Sequence, residues 1–423
     1  MTHRQPGPTG LLRPGLSRTL PVVLVLLALL TSGPLATAAN DASRGMISGQ
    51  ASGAAGAATP TPTPATTLAE RWTVPDGLPA LPETSAQAVF AGDIDSGQVL
   101  FAANADDERA PASTAKIAII LTLVDVLTDL QQVVTIEQDD TVDITVFSNA
   151  QLETGDEVTV EGLLYGLMLP SGNDAARALA RVAGETLDPQ SDDPTATFLD
   201  AVNAKAAELG AMNTVILNPA GEDTEGQHTT ARDLAILAAA LLDNESLATI
   251  VGSQTFDMQV DGPDARTVTL TNTNQLLGED GIIGVKTGST TDAGACLVTG
   301  AEFSSSSRVI IVVLGSDLAY DANDQVSDDA RYDDSLAIIR AIPQEYTWID
   351  LNSATSIEGL AAEAAAWQVA FGPGAELVVR KDQVEDVTYR MVLGPAGESG
   401  DDVGRVLFFI GDKQIADQPV YQL

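Results

Sequence analysis

The apolar positions of this chain change their spacing several times, and each change predicts a different element. Residues 20–30 are an apolar run, preceded by Arg4, Arg13 and Arg18 and by no acidic residue. The run is shorter than the ~20 residues a membrane-crossing helix needs. Ala36-Thr37-Ala38 then supplies the small residues after which a signal peptidase cuts. Residues 1–38 are expected to be a signal peptide, with an uncleaved anchor as the alternative; no cysteine follows that could carry a lipid. Residues 39–67 are mostly Ala, Gly, Ser, Thr and Pro, with alternating Thr and Pro over 59–64. With so little bulky apolar surface they predict a disordered, extended spacer.

Past this point the patterns are those of a folded domain. Residues 88–91 and 99–101 are apolar runs around Asp93-Ile94-Asp95-Ser96-Gly97, which predicts a hairpin. After Pro111, the positions Ile117, Ile120, Leu121 and Val124 recur at helical spacing, predicting a largely buried helix over 113–127. Helical spacing returns over 174–182, 196–209, 231–242 and 327–342, and strand-like runs over 281–286, 295–300 and 308–314. Strands at both ends of a helical middle predict an α+β domain, an antiparallel sheet closed by sequence-distant strands with helices packed on it. Residues 68–343 form this domain in the expected division. Residues 344–423 are expected to form a small β-rich domain, from runs at 377–379, 387–392 and 406–410, with 360–367 as a short helix.

Charge narrows the function. Asp and Glu number 59 against 21 Lys and Arg, a formal charge of −38. Such a chain repels phosphate backbones and anionic surfaces, which argues against nucleic acid as a partner. A single cysteine, Cys296, precludes an internal disulfide, and His3 and His228 are too few for a His/Cys zinc site, although carboxylate-rich Ca²⁺ or Mg²⁺ sites stay open. No cofactor or metal is called for. Lysine is scarce, with only Lys116, Lys205, Lys286, Lys381 and Lys413, so the place of each is informative.

Three short segments carry candidate chemistry. In Ser113-Thr114-Ala115-Lys116, positions i and i+3 share a helix face, so the Lys116 amine can sit beside the Ser113 hydroxyl. A serine needs a base to become a nucleophile, and a lysine can serve if its pKa is lowered. The helix N-terminus offers free N–H groups to an oxyanion. Ser171-Gly172-Asn173 sets a hydroxyl and an amide in a turn, able to relay a proton and to bond a substrate amide. Lys286-Thr287-Gly288, at the end of an apolar strand, offers a charge, a hydroxyl and room for a ligand to approach. Each alone has a plainer reading: a capping serine with a snorkelling lysine, an ordinary turn, a strand end.

Taken together and in this order, the three match the motif set of class A β-lactamases and penicillin-binding proteins. Over residues 153–176, 212–237 and 281–300 the chain resembles the D-alanyl-D-alanine carboxypeptidases, the low-molecular-mass penicillin-binding proteins. Gly172-Asn173-Asp174-Ala175-Ala176, Asn218-Pro219, His228-Thr229-Thr230-Ala231-Arg232-Asp233-Leu234 and Asn272-Thr273-Asn274 are the matching stretches. The resemblance covers about residues 85–342. It implies a penicillin-recognising serine transpeptidase or β-lactamase-like fold and removal of the last D-alanine from peptidoglycan stem peptides, with β-lactams as covalent inhibitors. By the same resemblance Ser113 forms the acyl-enzyme, Lys116 is its base, Ser171 relays protons and Asn173 positions the substrate. Lys286 and Thr287 hold the carboxylate end beside Gly288, and the backbone N–H groups of Ser113 and Ser289 form the oxyanion hole.

Departures from the pattern separate rival readings. A class A β-lactamase holds its deacylating water with a glutamate, usually in Glu-x-x-Leu-Asn; here Thr214 stands where that glutamate would precede Leu217-Asn218, and Gly172 replaces the aspartate of the second motif. A D,D-endopeptidase is not separated by the motifs, and a sensor without turnover is a further alternative. Some relatives carry arginine where this chain has Thr273. His228 could suggest a Ser-His-Asp triad, but Lys116 already supplies a base, so the histidine is expected to order its loop. Cys296 is expected to be a small buried hydrophobe. Leu81-Pro82-Glu83-Thr84 is read as a loop. Residues 417–423 lack an amphipathic pattern, so any membrane contact is expected only through the N-terminal segment, if it stays uncleaved, or through a partner.

Overall fold

The computed structural model describes residues 67–304, 307–320 and 326–423; the expected signal peptide and all but the last residue of the expected spacer lie outside them. Five strands form one antiparallel sheet in the order Val99–Ala103, Ala88–Asp93, Ser307–Ser316, Gly294–Ser304, Ile282–Thr290. The opening hairpin closes on the late strands, with Ala88 opposite Leu314 and Asp93 opposite Val309. Successive side chains of a strand point to opposite faces, and here both faces are covered. Phe90, Val298, Ile310 and Val312 join one core with the helices; Val89, Ala91, Leu297, Ile311 and Val313 join Ile338, Ile339 and Ile342 on the other side. Burial of both faces is why these strands read as continuous apolar runs rather than as alternation.

The central helix is Lys116–Val126, and its residues 116–123 are all buried. A helix apolar on every side belongs in the middle of a core. Its expected first turn is instead a separate 3₁₀ turn, Ala112–Ala115, so the α-helix begins on the lysine. The helices Pro194–Leu209 and Ala231–Asp243 stand where the periodicity placed them with slightly wider bounds, while the helix expected over 174–182 runs from Asn173 to Leu187, more than a turn further. The helix expected over 327–342 is shifted to Arg331–Glu345, because Val326–Asp329 pairs as a short strand with Leu318–Tyr320. Unforeseen were the helix Val160–Met168 and the hairpin Thr255–Val260 with Arg266–Thr271. The third-motif strand, expected to end at Lys286, continues to Thr290 because the ladder with Gly294–Ser304 runs that far.

Beyond the helix Arg331–Glu345, Tyr346–Asp350 pairs with Glu376–Arg380, and a second sheet has the order Val369–Phe371, Lys413–Gln422, Asp402–Ile410, Val387–Leu393. Leu360 of the helix Leu360–Trp367 joins Leu377, Val406, Phe408 and Val420 in a core of their own. This part is tied to the first sheet by Tyr346, whose hydroxyl donates to the Leu100 carbonyl at 2.7 Å, and by Gln98 Nε2, which donates to the Val378 carbonyl at 2.8 Å. Trp348 stacks on Phe303 at 5.3 Å. Among the described residues no single helix is long and apolar enough to cross a membrane.

Candidate active site

Ser113 lies on the 3₁₀ turn that starts the central helix, and Ala112 before it has a positive φ of 49°. A non-glycine residue in that region is strained and persists only where its surroundings hold it. One turn on, the fully buried Lys116 extends Nζ to within 3.0 Å of Ser113 Oγ. The same ammonium donates to Asn173 Oδ1 at 2.8 Å, to the Ala220 carbonyl at 2.8 Å and to Ser171 Oγ at 3.4 Å. Burial lowers its pKa to about 7, against an upward pull from the carboxylates of Glu222 and Asp174.

Ser171 has a φ of 61°, a left-handed turn locked by Gly172 N–H donating to the Gly166 carbonyl and Asn173 N–H donating to the Ser148 carbonyl, each at 2.9 Å. Asp174 anchors the turn from beneath, accepting from the backbone N–H groups of Ala150 and Leu152. These contacts turn both Ser171 and Asn173 onto Lys116.

The third motif lies on the edge strand Ile282–Thr290, which runs past the nucleophile turn. A Cβ at Gly288 would stand 2.9 Å from Ser113 N and 3.0 Å from Thr114 N, so only glycine allows this approach. Lys286 is buried and donates to the Thr287 carbonyl at 3.0 Å; burial, with the charges of Lys116 and Arg331, holds its pKa well below the ordinary lysine value. Thr287 Oγ1 is 2.7 Å from Thr273 Oγ1. Ser289 is exposed on the same strand, opposite Ala295.

All eight residues singled out in the sequence therefore lie on three neighbouring segments: Ser113 and Lys116, Ser171 and Asn173, and Lys286, Thr287, Gly288 and Ser289. A fourth segment was not anticipated. Asn218 Oδ1 accepts from the backbone N–H groups of Ala220, Gly221 and Glu222 at 3.1, 2.8 and 3.0 Å. This curls the loop so that the Ala220 carbonyl meets Lys116 and accepts from Ser113 Oγ at 3.3 Å. Gly221, at a φ of 81°, packs so tightly that a Cβ there would stand 2.0 Å from the Ala112 carbonyl oxygen. Asn218-Pro219 had been visible only as part of a resemblance.

A search of protein families matches residues 77–318 to D-alanyl-D-alanine carboxypeptidase, more than half of the chain. The chain belongs to that family. Among curated relatives of these carboxypeptidases it is 34% identical over 240 residues to DacF of Bacillus subtilis, a match covering 55% of this chain and 58% of that enzyme. It is also 34% identical to DacB2 of Mycobacterium tuberculosis, over 57% of this chain and 78% of that one. The chain thus spans little more than half of the Bacillus relative. Among solved structures, a Streptomyces DD-transpeptidase is 33% identical with a TM-score of 0.55, covering 63% of this chain and all of the other. The carboxypeptidase DacD of Francisella tularensis is 25% identical with a TM-score of 0.58 over 81% of this chain and 94% of its own.

Two further residues of this family member escaped the sequence reading. Arg331, buried at the start of its helix, donates to the Gly288 carbonyl at 2.7 Å and the Cys296 carbonyl at 3.3 Å, and its Nε pairs with Asp329 at 2.6 Å. It braces the third-motif strand, yet belongs to no motif that a sequence could show. Glu222 sits on the Asn218 loop, 3.4 Å from Asn173 Nδ2. His228 lies away from Ser113's partners, its Nδ1 2.9 Å from the Gly226 carbonyl and its Nε2 3.8 Å from Glu108. Cys296 is wholly buried, with its thiol pKa pushed up to about 11 by burial.

Proposed function

We propose that this protein is an exported serine-type D-Ala-D-Ala carboxypeptidase that removes the terminal D-alanine from peptidoglycan pentapeptide stems and is acylated by β-lactams. One observation carries the reading: a fully buried lysine amine whose pKa is about 7 lies 3.0 Å from the hydroxyl of a serine in a strained turn. Neutral Lys116 takes the Ser113 proton as Oγ bonds to the penultimate D-alanine carbonyl carbon. The C–N bond then breaks, and the departing D-alanine nitrogen receives its proton through Ser171. Water adds to the ester carbonyl, and the Ser113 oxygen leaves with a proton. Asn173 bonds the substrate amide, Lys286 and Thr287 hold the terminal carboxylate, and the N–H groups of Ser113 and Ser289 stabilise the oxyanion. A strained β-lactam amide enters the same route. Export rests on the basic N-terminus and apolar run at 20–30, with the cell wall side of the membrane as the destination.

The test is D-alanine release from diacyl-L-Lys-D-Ala-D-Ala, with mass spectrometry after penicillin treatment in parallel. Steady release and a long-lived adduct on Ser113 are expected, both lost in Ser113→Ala. Rapid penicillin turnover without D-alanine would make the protein a β-lactamase. A stable adduct with no cleavage of this peptide would indicate a sensor or an endopeptidase that needs crosslinked substrate.

A further inference from the structure

Lys116 can act as a base only after losing its proton, and that loss creates a hazard at the Asn173 amide in contact with it. While Lys116 is an ammonium, it has donors only, and the Asn173 amide must turn Oδ1 toward it. A neutral amine has a lone pair and accepts equally well. A flipped Asn173 would then donate Nδ2–H to that lone pair and occupy the site meant for the Ser113 proton. The structure holds a group that opposes the flip. Glu222 Oε1 lies 3.4 Å from Asn173 Nδ2 and 3.4 Å from Arg177 Nη2, while Arg177 Nη1 donates to the Thr141 carbonyl at 3.2 Å. A carboxylate only accepts, so a flipped amide would set oxygen against oxygen on that side.

We propose that Glu222, fixed by Arg177, is a positioning residue that pins the Asn173 amide and so keeps the lone pair of Lys116 free for Ser113. The amide's second N–H stays available to the substrate. Arg177 lies one helical turn beyond Asn173 on the helix Asn173–Leu187, and Asn218 fixes the loop that carries Glu222, so both ends of the arrangement are held. Besides pinning the amide, the Glu222 charge favours the protonated lysine, as does Asp174 beneath the turn; Lys286 and Arg331 are the cations on the strand side. The role rests on the acylation chemistry proposed above.

The test compares Glu222→Gln and Glu222→Leu with the unaltered full chain by the second-order rate of Ser113 acylation by a β-lactam, read from pH 5.5 to 9 with melting temperatures alongside. Gln loses the charge, yet Arg177 Nη2, a donor only, holds the amide oxygen in the place of Glu222 Oε1 and so keeps an acceptor facing Asn173 Nδ2: its high-pH plateau should stay within about twofold, with the midpoint moved to lower pH. Leu loses both, so its midpoint should also fall and its plateau should drop about fivefold or more. A Leu variant with an unaltered plateau would overturn the role, and so would equal plateau losses in both variants. If the unaltered protein is not acylated at all, the site reading falls, and this role with it.

Discussion

The titration of Lys116 offers the sharpest quantitative check on this site. A lysine brought from 10.5 to about 7 prefers its neutral form by about 5 kcal/mol more than it does in water. Burial is the larger cause; the carboxylates of Glu222 and Asp174 offset part of it. About one amine in ten is then neutral at pH 6, half at pH 7 and roughly nine in ten at pH 8. The acylation rate by a chromogenic β-lactam, followed by stopped flow, should therefore rise about tenfold from pH 6 to pH 8 and level off. Lys116→Arg, which cannot lose its proton in this range, should abolish the rise together with most of the rate. Stability is linked to the same proton. Between about pH 7 and 10.5 the unfolded chain holds it and the native chain does not, so Lys116 adds to the unfolding free energy as the pH rises through that window. Lys116→Met should lack that increment. A rate that is flat from pH 6 to 8, or half-maximal above pH 9, would refute the argument that burial makes this lysine a base.

Other consequences follow from close contacts. Gly288→Ala should cut acylation about a hundredfold, because a Cβ 2.9 Å from Ser113 N forces strand and nucleophile apart. The same overpacking should lower the melting temperature, so the rate is compared where the variant is still fully folded, and an unchanged rate would contradict the geometry. Asn218→Ala leaves three backbone N–H groups of the Ala220 loop without their acceptor; a loss of about 1–3 kcal/mol in denaturant titration is expected, with slower acylation. Cys296, buried with its thiol near 11, should resist iodoacetamide at pH 8 in the folded protein and react once unfolded. Labelling in the native state would show that the strand Gly294–Ser304 opens.

Most of what the sequence determined by itself depends on near neighbours; the closing of the opening hairpin on the late strands is the exception, read from strands at both ends of a helical middle. Ser113 and Lys116 are three residues apart, and helical geometry alone brings them together. The buried strands and the helices at 3.6-residue spacing were legible for the same reason. Some local signals were overlooked: the strand Thr255–Val260 alternates in burial, as a strand with one face covered should. The helix Val160–Met168, with eight of nine residues buried and two glycines, offers no polar face to mark its period. Tertiary structure alone decided the rest. Lys116 meets Asn173 across 57 residues of sequence and the Ala220 carbonyl across 104. A carbonyl has no signature in a sequence, because every residue carries one. Glu222 and Arg331 are likewise ordinary charged residues until the fold sets one against the Asn173 amide and the other under Gly288. The lowered pKa of Lys116 belongs to the same class, since burial exists only once the core has closed around the amine.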